Sequence, residues 1–264
     1  MTGTALRVIQ HGAVRELVLN RARQRNALNA ELVDALTAAI TTAEQDPDTA
    51  ALLIVGDGPS FCAGADLAHL LALAEAGESP VPFLRTVSDL TRRLELSPLP
   101  VVAALHGHAV AGGLEIALAC DVVVAEIGTL IGDGHIRNGL VPGAGAAVRM
   151  RRKLGDSLGR WLALSGELLP AEQLASTGWL HTVVEPAHGA GKALHVATTL
   201  AAAAGPAQAA FKAMLAELDD QPHVEAGLAL ELKAFAKHWA SHDVPARLRR
   251  FLTRRTPTRP ERLS

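Results

Sequence analysis

Glu115 stands out among the residues able to do chemistry. It lies in the run Gly107-His108-Ala109-Val110-Ala111-Gly112-Gly113-Leu114-Glu115-Ile116-Ala117-Leu118-Ala119-Cys120-Asp121, where a glycine-rich turn passes into an apolar segment at helical spacing. Glycines ahead of a helix start let a ligand approach bare backbone N–H groups, and the positive end of the helix dipole points the same way. A carboxylate among Leu114, Ile116, Ala117 and Leu118 is costly unless it is hydrogen-bonded or in use. Taken by itself it has two readings: a first-turn glutamate completing a helix cap, or a working carboxylate. A second glycine-containing apolar turn, Phe61-Cys62-Ala63-Gly64-Ala65-Asp66-Leu67, also follows an apolar strand pattern. Two backbone N–H groups from separate turns are able to converge on one carbonyl oxygen and hold an enolate-like oxyanion. Losing one such donor costs about 3–4 kcal/mol.

Other signatures fail. Gly143-Ala144-Gly145 lacks the third glycine of a dinucleotide fingerprint and follows Pro142 rather than a strand. There is no P-loop, no G-x-S-x-G elbow and no histidine pair at zinc spacing; His106 and His108 share a strand face without a third ligand. No metal site is expected.

The elements that must position Glu115 read as alternating strands and helices. Val14–Leu19 is a strand after a His-Gly turn. Asn29 caps an amphipathic helix through Leu32, Val33, Leu36, Ile40 and Ala43, ended by Asp46-Pro47-Asp48. Residues 51–55 are wholly apolar and read as a buried strand, so strand, helix and strand form a crossover unit with parallel pairing. Helices are expected over 67–73 and 83–96, strands over 101–105 and 121–125, and connected turns over the glycine-rich stretch 128–145 as a wall of the site. A single helix is expected over 148–164, with Arg149, Arg151, Arg152 and Lys153 as a solvated basic face. A short helix over 171–176 and a strand over 181–184 follow. Beyond Lys192 only helical patterns remain, over 195–204, 206–218, 224–241 and 245–254, with a polar tail after Thr256.

The totals set the class. The chain has 264 residues, 49% hydrophobic and 20% charged, with 3% aromatics and no tyrosine. These values describe a globular protein with a large core of small side chains. A formal net charge of −2 gives no electrostatic reason to expect nucleic acid or an anionic membrane as partner. Two cysteines, Cys62 and Cys120, form no disulfide framework, and neither a signal pattern nor a membrane-length apolar run is present. A cytoplasmic protein is expected.

Four segments in order carry a specific resemblance. Leu19-Asn20-Arg21 with Asn26-Ala27-Leu28-Asn29, the 61–67 turn, residues 100–121, and Gly139-Leu140-Val141-Pro142-Gly143-Ala144-Gly145 are similar to signatures of the enoyl-CoA hydratase/isomerase (crotonase) superfamily. Ala22 stands where that family has proline, and Ala111 where it has the first of three glycines. The resemblance implies an α/β fold: a spiral of ββα units forming two roughly perpendicular sheets, closed by a C-terminal all-helical trimerisation subdomain. It places the acyl-CoA core over 1–195, the helical subdomain over 196–255 and the tail over 256–264. It implies an oxyanion hole at the N–H groups of Ala65 and Gly112. Coenzyme A, as part of the substrate rather than a separate cofactor, would lie along Arg23, Ala27, Ala63, Asp66, Leu67 and Gly113, with Phe251 and Arg254 closing on it. The implied assembly is a homotrimer or a dimer of trimers.

The departure from the pattern sorts the chemistry. Hydratases of this family use two glutamates, one at Glu115 and one 20 residues further on, which in this chain is His135 within Ile131-Gly132-Asp133-Gly134-His135. Histidine transfers protons near neutral pH but with a different charge balance. Asp133 lies on the same side if the segment is extended. The resemblance therefore implies hydration of a trans-2-enoyl-CoA to a 3-hydroxyacyl-CoA with Glu115 and His135 as the catalytic pair. A decarboxylase or lyase acting on a malonyl-type or β-hydroxyacyl-CoA, and a non-catalytic CoA-thioester binder, are the alternatives.

Overall fold

The computed structural model describes residues 4–203, 205–218 and 241. It opens on a hairpin of β1 (Leu6–His11) and β2 (Val14–Leu19), paired antiparallel. α1 (Ala30–Gln45) follows, its N-terminus held by the Asn29 side chain accepting from Leu32 N–H, and it buries Leu32, Val33, Leu36, Ile40 and Ala43 as its spacing predicts. β3 (Ala51–Gly56) returns parallel to β2, completing the expected crossover. Then come α2 (Leu67–Glu75), α3 (Val81–Leu96), β4 (Val101–Leu105), β5 (His108–Val110), α4 (Gly112–Ala119), β6 (Val122–Glu126) and β7 (Leu130–Gly132). The unit continues with α5 (Ala146–Leu154), α6 (Asp156–Ser165), β8 (Leu169–Pro170), α7 (Ala171–Leu174), β9 (Leu180–Val184) and α8 (Gly189–Ala201).

Two sheets result. The larger runs β1-β2-β3-β4-β6-β9, parallel except at its hairpin edge; the smaller runs β5-β7-β8. Each of the middle turns of the chain places one long strand in the first sheet and a short extended segment beside the second, then a helix. Cys62 bridges Ala109 and Leu28 bridges Ala65 in the same way. The apolar runs of β3 and β4 are continuous because both faces of the large sheet are covered. Leu52, Ile54, Ala103 and Leu105 face the main core, while Leu53, Val55, Val102 and Ala104 face Ala193, Val196 and Ala197 of α8.

Three expectations are corrected and one strand is added. The helix expected over 148–164 breaks at Gly155, whose φ of +86° lies outside helical space, so α5 and α6 are separate. The stretch 128–145 holds a short strand, β7, besides its turns, because Leu130 and Ile131 pair with β8. The polar β1, with Arg7, Val8, Ile9 and Gln10 exposed, is an edge strand that carries no alternation to read. The helix expected over 195–204 starts earlier, at Gly189, because its apolar stripe caps the sheet. A boundary after residue 195 falls inside α8, and the compact unit runs Met1–Gly205. The second unit, Pro206–Ser264, is described through the helix α9 (Gly205–Leu218), where a helix over 206–218 was expected. The helices expected over 224–241 and 245–254, and the tail, lie outside the described residues apart from Ser241.

Candidate active site

β3 and β4 are parallel neighbours, so the turns after them leave the sheet at the same end. Phe61 N–H donates to His106 O at 2.9 Å, Cys62 N–H to His108 O at 3.0 Å, and Val110 N–H back to Cys62 O at 3.0 Å. These bonds zip the two glycine-containing turns together. A β-carbon on Gly64 would stand 2.8 Å from the Ala111 methyl and 3.2 Å from Gly112 N; one on Gly112 would stand 3.4 Å from Ala65 N. The Ala65 and Gly112 amides therefore sit in adjoining turns, and at Gly64, with φ +99°, only glycine permits that approach. Gly112 is the first residue of α4 and has no acceptor one turn back in the helix. Neither amide donates a hydrogen bond among the described residues. Two N–H groups without an acceptor among the described residues, one of them at a helix N-terminus, are donors of the kind an oxyanion requires.

Glu115 lies in the first turn of α4 at 2% exposure. It is no cap: its carboxylate reaches across to the turn before α5, where Oε1 accepts from Ala144 N–H at 2.9 Å and Ala146 N–H at 3.1 Å. Burial raises its proton affinity above the ordinary carboxylate level, against the pull of those amides and of His135. His135 begins the short 3-10 turn His135–Asn138. Its Nδ1 lies 3.0 Å from Asp133 Oδ1, and both side chains are largely buried. Burial works against the imidazolium, but the Asp133 hydrogen bond and the charges of Asp133 and Glu115 outweigh it and hold the His135 pKa above its usual value. Nδ1 is occupied by Asp133, so Nε2 is the ring nitrogen with no hydrogen bond among the described residues. The structure thus joins a buried carboxylate electrostatically to an Asp-His pair. Among the described residues, no three His, Cys, Asp or Glu side chains gather as a metal site.

The chain has relatives. Residues 10–261 match the enoyl-CoA hydratase/isomerase family. The chain belongs to that family. It is 30% identical to a probable enoyl-CoA hydratase of Mycobacterium tuberculosis over 258 residues, 97% of this chain and 98% of the relative. It is 34% identical to the 2,3-dehydroadipyl-CoA hydratase of Escherichia coli over 241 residues, 91% of this chain and 92% of the relative. Among solved structures, an enoyl-CoA hydratase from Polaromonas superposes with a TM-score of 0.88 at 29% identity, covering 96% of this chain and 98% of that one. The mixed α/β architecture is that of the family.

The residues that the family likeness assigns to coenzyme A fall in two groups. Residues 21–28 run beside 63–66: Ala63 N–H donates to Arg25 O at 3.0 Å, Leu28 N–H to Gly64 O at 2.8 Å, and Asp66 N–H to Leu28 O at 2.8 Å. That pairing brings Ala27, Ala63, Asp66 and Leu67 to one side of the 61–67 turn, with Arg23 exposed in the adjoining 3-10 turn and Leu67 exposed. The Asp66 carboxylate is already engaged. Oδ1 caps α2 at Ala68 and His69 N–H, and Oδ2 accepts from Arg21 at 2.8 Å, which lowers its pKa despite burial. Gly113 is buried, its missing side chain replaced by the Cys62 carbonyl, so it serves the contact between the turns. Phe251 and Arg254 lie outside the described residues.

Three contributors escaped the sequence reading. Asn26, fully buried, accepts from Arg21 N–H and donates to Asp57 O and Ser60 O, locking the 21–28 turn onto the 57–60 turn. The Ala144 and Ala146 amides carry no side-chain signal at all. Arg149 is not part of a solvated face: it is buried and ion-paired with Glu95, whereas Arg151 and Arg152 are exposed. The signal for it was present, since Arg149 sits three residues after Ala146 and beside Met150 on the buried stripe of α5.

Proposed function

We propose that the protein adds water to a trans-2-enoyl-CoA, giving a 3-hydroxyacyl-CoA. The thioester oxygen accepts from the Ala65 and Gly112 N–H groups, which stabilise the enolate as negative charge moves onto it. Glu115, ionised, takes a proton from water as the water oxygen bonds to Cβ. His135, protonated, delivers a proton from Nε2 to Cα. The proton gained by Glu115 returns to His135 to reset the pair, and atoms and charges balance. The coenzyme A moiety lies along Arg23, Ala27, Ala63, Asp66 and Leu67, with Phe251 and Arg254 closing on it in a homotrimer or dimer of trimers. No step draws on a metal or a redox cofactor.

The observation that carries this reading is the burial of Glu115 beside the Asp133–His135 pair; the raised pKa values of Glu115 and His135 favour one group able to accept a proton and the other able to give one. A lyase on a malonyl-type or β-hydroxyacyl-CoA is the second reading, favoured by the same histidine donor. The test is direct. Purified protein is mixed with crotonyl-CoA and longer enoyl-CoAs while loss of the conjugated thioester absorbance is followed. Turnover that disappears in Glu115→Gln and falls in His135→Ala supports hydration. Release of CO₂ from a malonyl-type ester, without hydration, replaces it with the lyase. Tight CoA-ester binding with no turnover marks a binder.

A further inference from the structure

We infer that Arg149, anchored by Glu95 and Thr91, is a positioning residue that holds the 144–145 peptide and through it aims the Glu115 carboxylate. The inference rests on the reading of Glu115 as the working base. Arg149 Nε and Nη2 donate to the two oxygens of Glu95 at 3.3 and 2.8 Å, a two-point pair that fixes the guanidinium plane. Its third nitrogen, Nη1, donates to Thr91 Oγ1 at 3.3 Å and to Ala144 O at 3.1 Å. Thr91 Oγ1 itself lies 2.9 Å from Ala144 O. Thr91 and Glu95 stand one turn apart on α3, so a single helix face presents both anchors.

The held carbonyl is the link to the site. The 144–145 peptide lies between the two peptides whose N–H groups, at Ala144 and Ala146, hold Glu115 Oε1. Holding the Ala144 carbonyl restrains ψ of Ala144 and φ of Gly145, two of the torsions that set the Ala144 and Ala146 N–H groups at a common angle onto the carboxylate. The turn is moulded to the arginine: Gly145 has φ +110°, and a β-carbon there would stand 2.0 Å from Arg149 Nη1. An ion pair with its arginine buried and its glutamate partly covered is a poor device for stability alone, since apolar residues fill the same space without desolvating charge. What the guanidinium supplies that they do not is a fixed plane of donors. Glu115 itself is faced by His135 and Asp133 from the 133–135 segment, and Glu95 by Arg92 and Lys153 as well as Arg149. Arg149 makes no hydrogen bond to Glu115 among the described residues; its influence runs through the peptide.

The experiment compares Arg149→Met, Arg149→Lys and the milder Thr91→Val with the parent protein. The readouts are crotonyl-CoA hydration across pH, thermal melting, and infrared titration of the Glu115 carboxyl, identified by difference against Glu115→Gln. Arg149→Met should lower kcat about tenfold to a hundredfold with KM within about threefold. The Glu115 carboxyl should titrate about one pH unit higher, because its charged form loses amide donors. Arg149→Lys should recover part of both effects, and Thr91→Val should show a smaller shift in the same direction. An unchanged Glu115 titration in folded Arg149→Met and Thr91→Val, with rates that track only folded fraction, overturns the inference. If the parent protein does not hydrate enoyl-CoA, the proposed function fails, and the infrared titration alone still decides whether Arg149 positions Glu115.

Discussion

Replacing Ala111 with glycine should make the protein more stable. Ala111 adopts φ +50° and ψ −116°, a conformation in which an L residue's β-carbon crowds its own backbone. It persists because both sides are pinned: Ala111 N–H donates to Gly132 O at 3.1 Å, and Ala111 O accepts from Glu115 N–H at 2.9 Å. Residues held in such regions cost about 1–3 kcal/mol. Glycine removes that strain but gives the unfolded chain more freedom, an offset of about 0.4–1 kcal/mol. The net gain is about 0–2.6 kcal/mol, or a rise in Tm of up to about 10 °C for a chain of this size. Differential scanning calorimetry and urea unfolding measure it directly. Hydration of crotonyl-CoA should stay within about threefold of the parent, because Gly112 N–H keeps its place at the start of α4. A Tm that falls in Ala111→Gly would refute the reasoning, since it would mean that the alanine methyl contributes more by packing than its backbone loses by strain.

Gly113→Ala should do the reverse. Its β-carbon would stand 2.2 Å from the Cys62 carbonyl oxygen, which is backbone and has no rotamer to yield, so the two turns must part. Overpacking of this kind costs about 1–3 kcal/mol, visible as a lower urea midpoint, and hydration should fall at least about a hundredfold as the amides separate. Glu115→Gln should abolish turnover yet raise Tm at pH 8. The folded pKa of Glu115 is raised, so folding disfavours its charge above the unfolded pKa; glutamine removes that penalty, and no gain is expected at pH 4. The pH profile of kcat/KM should be a bell. Its acid limb, ionisation of Glu115, should lie above the ordinary carboxylate range, and its alkaline limb, loss of the His135 proton, above the ordinary histidine range; His135→Gln should remove the alkaline limb and move the acid limb upward, because the imidazolium no longer lowers the Glu115 pKa.

Much of the scaffold was legible in the sequence because local pattern and tertiary environment agree there. The α1 stripe, its Asn29 cap and the apolar runs of β3 and β4 each satisfy one face or two faces of the same core. Failures came where a distant partner decides. The polar β1 is a strand only because β2 is beside it, and Gly155 ends a helix that composition alone would continue. Arg149 shares a basic run with two exposed arginines, and what draws it inward is Glu95, on a helix 54 residues earlier. The site divides in the same way. Side chains such as Glu115 and His135 announce themselves by type, whereas the amides of Ala65, Gly112, Ala144 and Ala146 leave no trace beyond the glycines that let the turns approach.

The histidine that departs from the family pattern is best understood through its partner. In a two-glutamate site poised for hydration, one acid is ionised and the other carries the proton to be delivered, so the pair bears a single negative charge. Here Glu115 supplies the ionised acid. An imidazolium alone in the second place would leave the pair neutral and hold Glu115 too firmly in its charged form to act as a base. The Asp133 carboxylate, 3.0 Å from His135 Nδ1, offsets the imidazolium, and the three groups together return to a single negative charge. Asp133 with protonated His135 is therefore the charge equivalent of one neutral carboxylic acid, with its donor set two residues along the chain. On this account Asp133→Asn should damage hydration through its effect on His135. It should lower the alkaline limb toward the ordinary histidine range, because the hydrogen bond and the larger of the two charges that raise the His135 pKa reside on that carboxylate, with Glu115 supplying the smaller. An alkaline limb that stays in place in Asp133→Asn would show that Glu115, and not Asp133, keeps His135 protonated.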